Sequence, residues 1–271
     1  MDFEIIYQKA KRDLQSFGNK PINDVGRILN TVQLEEVPER KVMETTQKIY
    51  IRLYQEKGRG NLNQARQSWV AASGNNFEIF IRNIINENLN NEGIVAVKGD
   101  HLRKKPRAQE IVRFLTLDAR RRCVQTTTGV WPDSDIVVLS KEQGGRLKVF
   151  ALLNCKTSDH ARNDAVLFWA LALRNNNIKY CLVTQDLDKK FVKGDNEASS
   201  LRKKSEAYLD RVFSTHPSTT ECSQVKKLDF SRTDGGKPLF SDLRIWRQEV
   251  VPNFTDEPID EGVLEGKTLF G

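Results

Sequence analysis

Apolar residues in this chain recur at helical spacing first and at strand spacing later. Phe3, Ile6 and Tyr7, then Val25, Ile28 and Leu29, then Val42, Ile49, Ile51 and Leu53 keep a helical rhythm, with breaks at residues 18–21, 37–38 and 58–60. Residues 1–62 are therefore predicted to form a helical N-terminal arm or subdomain, either a cap on the core or an arm around a partner. Phe77, Phe80, Ile81, Ile84 and Ile85 fall at i, i+3, i+4, i+7 and i+8, a helix with one buried face that Gly93 ends. Residues 94–97 read as a short strand. Residues 135–139 and 147–156 read as a hairpin around Gly144 and Gly145. A helix over 161–174, with Ala165, Phe168, Trp169 and Ala172 on one side, leads to a third strand over 178–184. Helix, hairpin, helix, strand implies an α/β core, a mixed central sheet flanked by helices, over residues 63–250.

The chain has 271 residues, 38% of them hydrophobic, which suffices for a sizeable core and excludes a disordered polymer. No apolar run reaches membrane-spanning length, and the N-terminus lacks the charged and apolar regions of a secretory signal. Cys123, Cys155, Cys181 and Cys222 form no CxxC pair, so neither a zinc knuckle nor a disulfide framework is expected, and a cytoplasmic location is. Net charge is +7 and unevenly spread: residues 251–271, an acidic C-terminal tail, carry five acids and one lysine, leaving residues 1–250 at +11. A basic body suggests a polyanionic partner. Its densest stretch holds Arg103, Lys104, Lys105, Arg107, Arg113, Arg120, Arg121 and Arg122, either a solvated face or a surface that neutralises nucleic-acid phosphates.

Candidate chemistry sits on the hairpin. Alternation along a strand turns Asn154 and Lys156 to one face, and pairing with the neighbouring strand brings Asp135 beside them. A lysine closing an apolar strand needs a partner to offset its desolvation. One account is a structural ion pair between Lys156 and Asp135. The other is phosphodiester hydrolysis, in which carboxylate oxygens hold a magnesium ion and the ammonium group orients the attacking water and stabilises the transition state.

Trp131-Pro132-Asp133-Ser134-Asp135 followed by Asn154-Cys155-Lys156 resembles the motif of the PD-(D/E)XK nuclease superfamily. Ser68-Trp69 with Ser73-Gly74-Asn75-Asn76-Phe77-Glu78, and Phe150 to Ser158 with Phe168-Trp169 beyond, are similar to segments of the type II restriction endonucleases like BsaWI. The resemblance covers roughly residues 64–185. It implies a PD-(D/E)XK nuclease core with an N-terminal helical subdomain, Mg2+ as cofactor and double-stranded DNA as substrate. A homodimer is also implied, because two catalytic centres on a two-fold axis match a palindromic site. Asp135 would bind the metal, with Asp133 two residues earlier as the alternative ligand, and Lys156 would be the catalytic lysine. Glu78 would be a helix-borne carboxylate supporting the metal or orienting Lys156; otherwise it is an ordinary helix glutamate. Asn154 departs from the pattern, where an acid is usual.

Ser158, His160, Arg162, Asn163 and Asp164 occupy the segment where such enzymes place base-reading residues; equally, they form a capped helix start with surface polar groups. The arginine spacing of CCGG readers is absent. Expected ends are 5′-phosphate and 3′-hydroxyl, with a cognate DNA methyltransferase in the same system but not as a physical partner. The competing readings are a repair or mobile-element nuclease of the same fold and a DNA-binding protein in which Asn154 marks a decayed site.

Overall fold

The computed structural model describes residues 2–14, most of 25–104, 108–121, 126–142, 147–157, 163–174, 177–230 and 234–249. The chain divides into two compact units, residues 1–79 and 80–271.

In the first unit, helices α1 (Phe3–Asp13) and α2 (Glu39–Glu56) precede the start of α3 (Leu62–Leu89). Their apolar stripes make one core from Ile6, Tyr7, Ala10, Ile49, Leu53, Trp69 and Ala72. Tyr50 and Trp69 meet with ring centroids 5.6 Å apart, and the Arg52 guanidinium lies 3.7 Å over the Tyr7 ring while holding Glu4 at 2.7 Å. A reciprocal cap starts α3: Asn61 Oδ1 accepts from Gln64 N–H at 3.0 Å, and Gln64 Oε1 accepts from Asn61 N–H at 2.9 Å. Beyond the helix end, Gly93 takes φ 76°, the left-handed turn that glycine adopts without a Cβ penalty.

The second unit is built on a six-stranded sheet in the order β1-β4-β5-β6-β7-β8. Its strands are β1 (Ile94–Lys98), β4 (Ile136–Lys141), β5 (Leu147–Lys156), β6 (Lys179–Thr184), β7 (Arg211–Ser214) and β8 (Val225–Lys227). The β1/β4 and β4/β5 pairs are antiparallel; β5/β6, β6/β7 and β7/β8 are parallel. The sheet is mixed, as the order of elements implies. Short helices α4 (Gly99–Arg103) and α5 (Gln109–Leu115) lead to a separate ribbon of β2 (Leu117–Arg121) and β3 (Thr126–Val130). Helix α6 (Asn163–Ala172) crosses between β5 and β6, α7 (Ser200–Tyr208) precedes β7, and α8 (Lys237–Glu249) follows β8.

One face of the sheet contributes Val95, Val97, Val137, Leu139, Leu147, Val149, Leu152, Tyr180, Leu182 and Val212 to a core completed by Val166, Trp169 and Leu173. Trp246 of α8 reaches Phe213 of β7 at a centroid distance of 6.5 Å. Two aromatic positions read as core-facing are exposed instead. Phe168 is 58% exposed, its ring edge-on to Trp169, and Phe80 is 41% exposed, its ring edge-on to Phe230. Among the described residues no helix is long and apolar enough to cross a membrane.

Candidate active site

The sheet's strand directions bring the candidate groups together. Strand β4 begins where antiparallel β5 ends, so Asp135, one residue before the Ile136–Leu153 pair, lies beside the last residues of β5. Lys156 Nζ stands 3.6 Å from Asp135 Oδ2, with the two side chains 20% and 24% exposed. The same carboxylate oxygen accepts the Cys155 backbone N–H at 2.7 Å. Burial holds the Asp135 carboxyl above the ordinary aspartate range; the Lys156 ammonium and the Cys155 N–H oppose that rise, and nearby Asp133 adds to it. A half-buried carboxylate with a raised proton affinity and an adjacent cation is what a metal-binding or proton-handling site requires.

The segment that carries the acids is pinned from several sides. Asn154 Nδ2 and Tyr180 Oη both donate to the Asp133 carbonyl, at 2.5 and 2.8 Å. Gly99 N–H donates to the Asp135 carbonyl at 2.9 Å. A Cβ on Gly99 would lie 2.3 Å from the Ser134 carbonyl oxygen, so only glycine permits this approach. Ser134 Oγ donates to the Ile136 carbonyl at 3.0 Å.

Asn154 is fully buried on the face it shares with Lys156. Its amide orientation follows from its partner: the nitrogen must face the Asp133 carbonyl, because the oxygen there would be repelled. That leaves Asn154 Oδ1 as a buried acceptor with no hydrogen-bond partner among the described residues. Among those residues no cluster of three or more His, Cys, Asp or Glu side chains is placed to hold a metal ion. Hard oxygen donors are nonetheless present, the Asp135 carboxylate and the Asn154 amide oxygen, and both suit magnesium.

Other expected residues fall as follows. Asp133 is half-buried next to the pair. Glu78 belongs to the first unit; it is 7% exposed and precedes Ile81 and Ile85, also buried, by three and seven residues. Arg103 and Lys104 are exposed at the end of α4, and Arg120 and Arg121 lie on β2. Asp164, in the first turn of α6, is exposed and 3.9 Å from Lys204. Asn163 opens α6. Lys105, Arg122, Ser158, His160 and Arg162 lie outside the described residues. Reading the sequence passed over Tyr180 and Gly99. A tyrosine inside a strand and a glycine between a strand and a basic run were the only signals.

Residues 105–234 match the family model of the BsaWI restriction endonuclease, type 2. Over that stretch, a little under half of its length, the chain is similar to the type II restriction endonucleases. No curated protein matches it in sequence. Among solved structures, the specific complex of the restriction endonuclease AgeI with DNA aligns at a TM-score of 0.56 and 18% identity, over 83% of this chain and 85% of that one, which shows a shared fold. The pre-specific complex of the restriction endonuclease BsaWI with DNA aligns at a TM-score of 0.45 and 15% identity, over 92% and 94% of the two chains. The mixed sheet flanked by helices has the PD-(D/E)XK fold.

Proposed function

We propose that this chain is a type II restriction endonuclease, a site-specific deoxyribonuclease that works as a homodimer and hydrolyses both strands of a short palindromic site in double-stranded DNA, with Mg2+, leaving 5′-phosphate and 3′-hydroxyl ends. The observation that supports it most is the 3.6 Å approach of Lys156 to Asp135 at the shared end of β4 and β5. Magnesium would supply charge neutralisation on the scissile phosphate and a more acidic water. Asp135 would hold the ion through its carboxylate, with the Asn154 Oδ1 oxygen and Asp133 as further oxygen donors. Glu78 keeps the helix-borne carboxylate role that the resemblance assigns it. The Lys156 ammonium group orients the attacking water and stabilises charge gathering on the phosphate. The water oxygen bonds to phosphorus as the bond to the 3′ oxygen breaks, and a proton ends on that leaving oxygen.

Exposed Arg103 and Lys104, with Lys105, with Arg120 and Arg121 of the ribbon and with Arg122, would neutralise backbone phosphates. Ser158, His160, Arg162, Asn163 and Asp164 would face the bases, Arg162 reading a guanine edge. A DNA methyltransferase acting on the same site would protect the host's own DNA in the cytoplasm.

Digestion of a mapped DNA with Mg2+, against a parallel digestion in EDTA, tests this. Discrete fragments whose sequenced ends carry 5′ phosphates at one palindrome are expected. A smear would replace it with a nuclease of low sequence specificity. Intact DNA that the protein still binds would replace it with a non-cleaving DNA-binding protein.

A further inference from the structure

We propose that Tyr180 and Asn154 are positioning residues for cleavage, acting as a pair of donors on a single backbone carbonyl, that of Asp133, and so setting the place of the Asp135 carboxylate. This deepens the cleavage reading above and rests on it.

Residues 131–135 lie outside every strand, so their backbone polar groups have no ladder to satisfy them. The Asp133 carbonyl finds its partners on two other strands, Asn154 Nδ2 on β5 at 2.5 Å and Tyr180 Oη on β6 at 2.8 Å. A carbonyl oxygen has two lone pairs, and two donors use both. Both donors are buried: Asn154 is 0% and Tyr180 1% exposed. Burial also raises the Tyr180 phenol, so it stays protonated and a donor throughout the range in which the enzyme would work. On the following residues, Gly99 N–H holds the Asp135 carbonyl and Cys155 N–H holds its carboxylate. The peptide between Asp133 and Asp135 is thus fixed by β5, β6 and the start of α4. Any rotation of the Asp133 carbonyl would swing the carboxylate two residues later.

The clamp also accounts for an amide where the motif usually has an acid. An ionised carboxylate donates no hydrogen bond. At position 154 it would press negative charge against the Asp133 carbonyl oxygen, with Asp133 and Asp135 close by. The amide is what this loop requires, and its presence is no sign of a decayed site.

The test uses the full-length protein with Tyr180→Phe, which keeps the ring and removes only the hydroxyl, and Asn154→Asp, which restores the acid and removes the donor. Single-turnover plasmid cleavage in Mg2+, DNA binding in Ca2+ and Mn2+ affinity by calorimetry without DNA are measured for each. For Tyr180→Phe we expect cleavage slower by about tenfold, the worth of one hydrogen bond, with DNA binding unchanged and Mn2+ affinity weakened. Asn154→Asp should lose more, about 100-fold, despite gaining a carboxylate. Cleavage by Asn154→Asp at or above the wild-type rate would overturn the proposal. So would Tyr180→Phe with a lowered melting point but wild-type cleavage and Mn2+ affinity, since that pattern is structural only. If Asn154→Asp fails to fold, Tyr180→Phe decides alone. If the wild type cuts no DNA with Mg2+ or Mn2+, the cleavage reading fails, and the Mn2+ affinities still decide whether the clamp sets the acid.

Discussion

Replacing Lys156 with methionine separates the two meanings of its pairing with Asp135. Methionine keeps an unbranched apolar side chain and removes the charge. At 3.6 Å the Coulomb attraction amounts to about 1 kcal/mol in a water-like dielectric and about 5 kcal/mol at an effective dielectric of 20. Both side chains are partly exposed and relief of lysine desolvation offsets part of the loss, so we expect a net destabilisation of about 1–2 kcal/mol at pH 8. The effect should depend on pH with a fixed sign. Burial already raises the Asp135 carboxyl above its unfolded value, so ionising it works against the fold as pH rises through the folded value. Lys156 opposes that penalty. Without it the carboxyl rises further, and the variant's deficit should vanish at low pH, where Asp135 is protonated with or without the lysine. Urea unfolding at several pH values reads this out. Cleavage should fall by at least about 100-fold, the usual effect of removing a group that stabilises transition-state charge. Wild-type cleavage by a folded Lys156→Met protein would refute the catalytic role, and a stability deficit independent of pH would refute the pairing.

Asp135→Asn should abolish cleavage and weaken Mn2+ binding while leaving the protein folded, as calorimetry and a thermal melt would show; an active variant would move the metal ligand to Asp133. Gly99→Ala forces a Cβ to 2.3 Å from the Ser134 carbonyl oxygen, so the acidic segment must shift. It should lose about 1–3 kcal/mol by denaturant titration, and cleavage should fall with it. Wild-type activity in that variant would show that the segment's place does not matter. Replacing Arg120, Arg121 and Arg122 with glutamine should lower the slope of log K against log salt by about 0.9 for each phosphate that the protein no longer neutralises. An unchanged slope would return the run to solvent.

Strand β5 was legible because its ten residues, Leu147–Lys156, hold an unbroken apolar run, Val149 to Leu153, before polar groups at the end, and the structure gives it those bounds. Asp135 and Lys156 were legible for the same reason, as charges that end apolar runs. The β2/β3 ribbon was not. Its clue, the β-branched run Thr126-Thr127-Thr128, was hidden among arginines that drew the reading toward charge. Strand β7 has only four residues, too few for periodicity. Helix α8 could have been found, since Leu239, Leu243 and Trp246 fall at i, i+4 and i+7 and all are buried. Phe80 and Phe168 misled because apolar character favours burial without requiring it. Tyr180 and Asn154 were illegible as a pair: their shared carbonyl lies 47 and 21 residues away along the chain, and only the fold brings it to them.

The position of the site depends on one irregularity in the sheet. Near the hairpin turn, Leu139 pairs with Val149; farther along, Ile136 pairs with Leu153, and the register shifts between Val138 and Leu139. Phe150 is the extra residue, and it changes the phase of β5. Before the bulge the odd-numbered Leu147 and Val149 face the core that holds Val137 and Leu139; after it the even-numbered Leu152 does. Asn154 and Lys156 inherit that face, and Asp135 shares it with Val137 on β4. Had the register run on without the bulge, alternation would have turned Lys156 to the opposite side of the sheet from Asp135. An extra residue four positions before Asn154 therefore does what no local propensity at Lys156 could do. It carries an ammonium group to the same side as the acid, at the edge where β4 starts and the parallel strands β5, β6 and β7 end, the place where open α/β sheets bind their ligands.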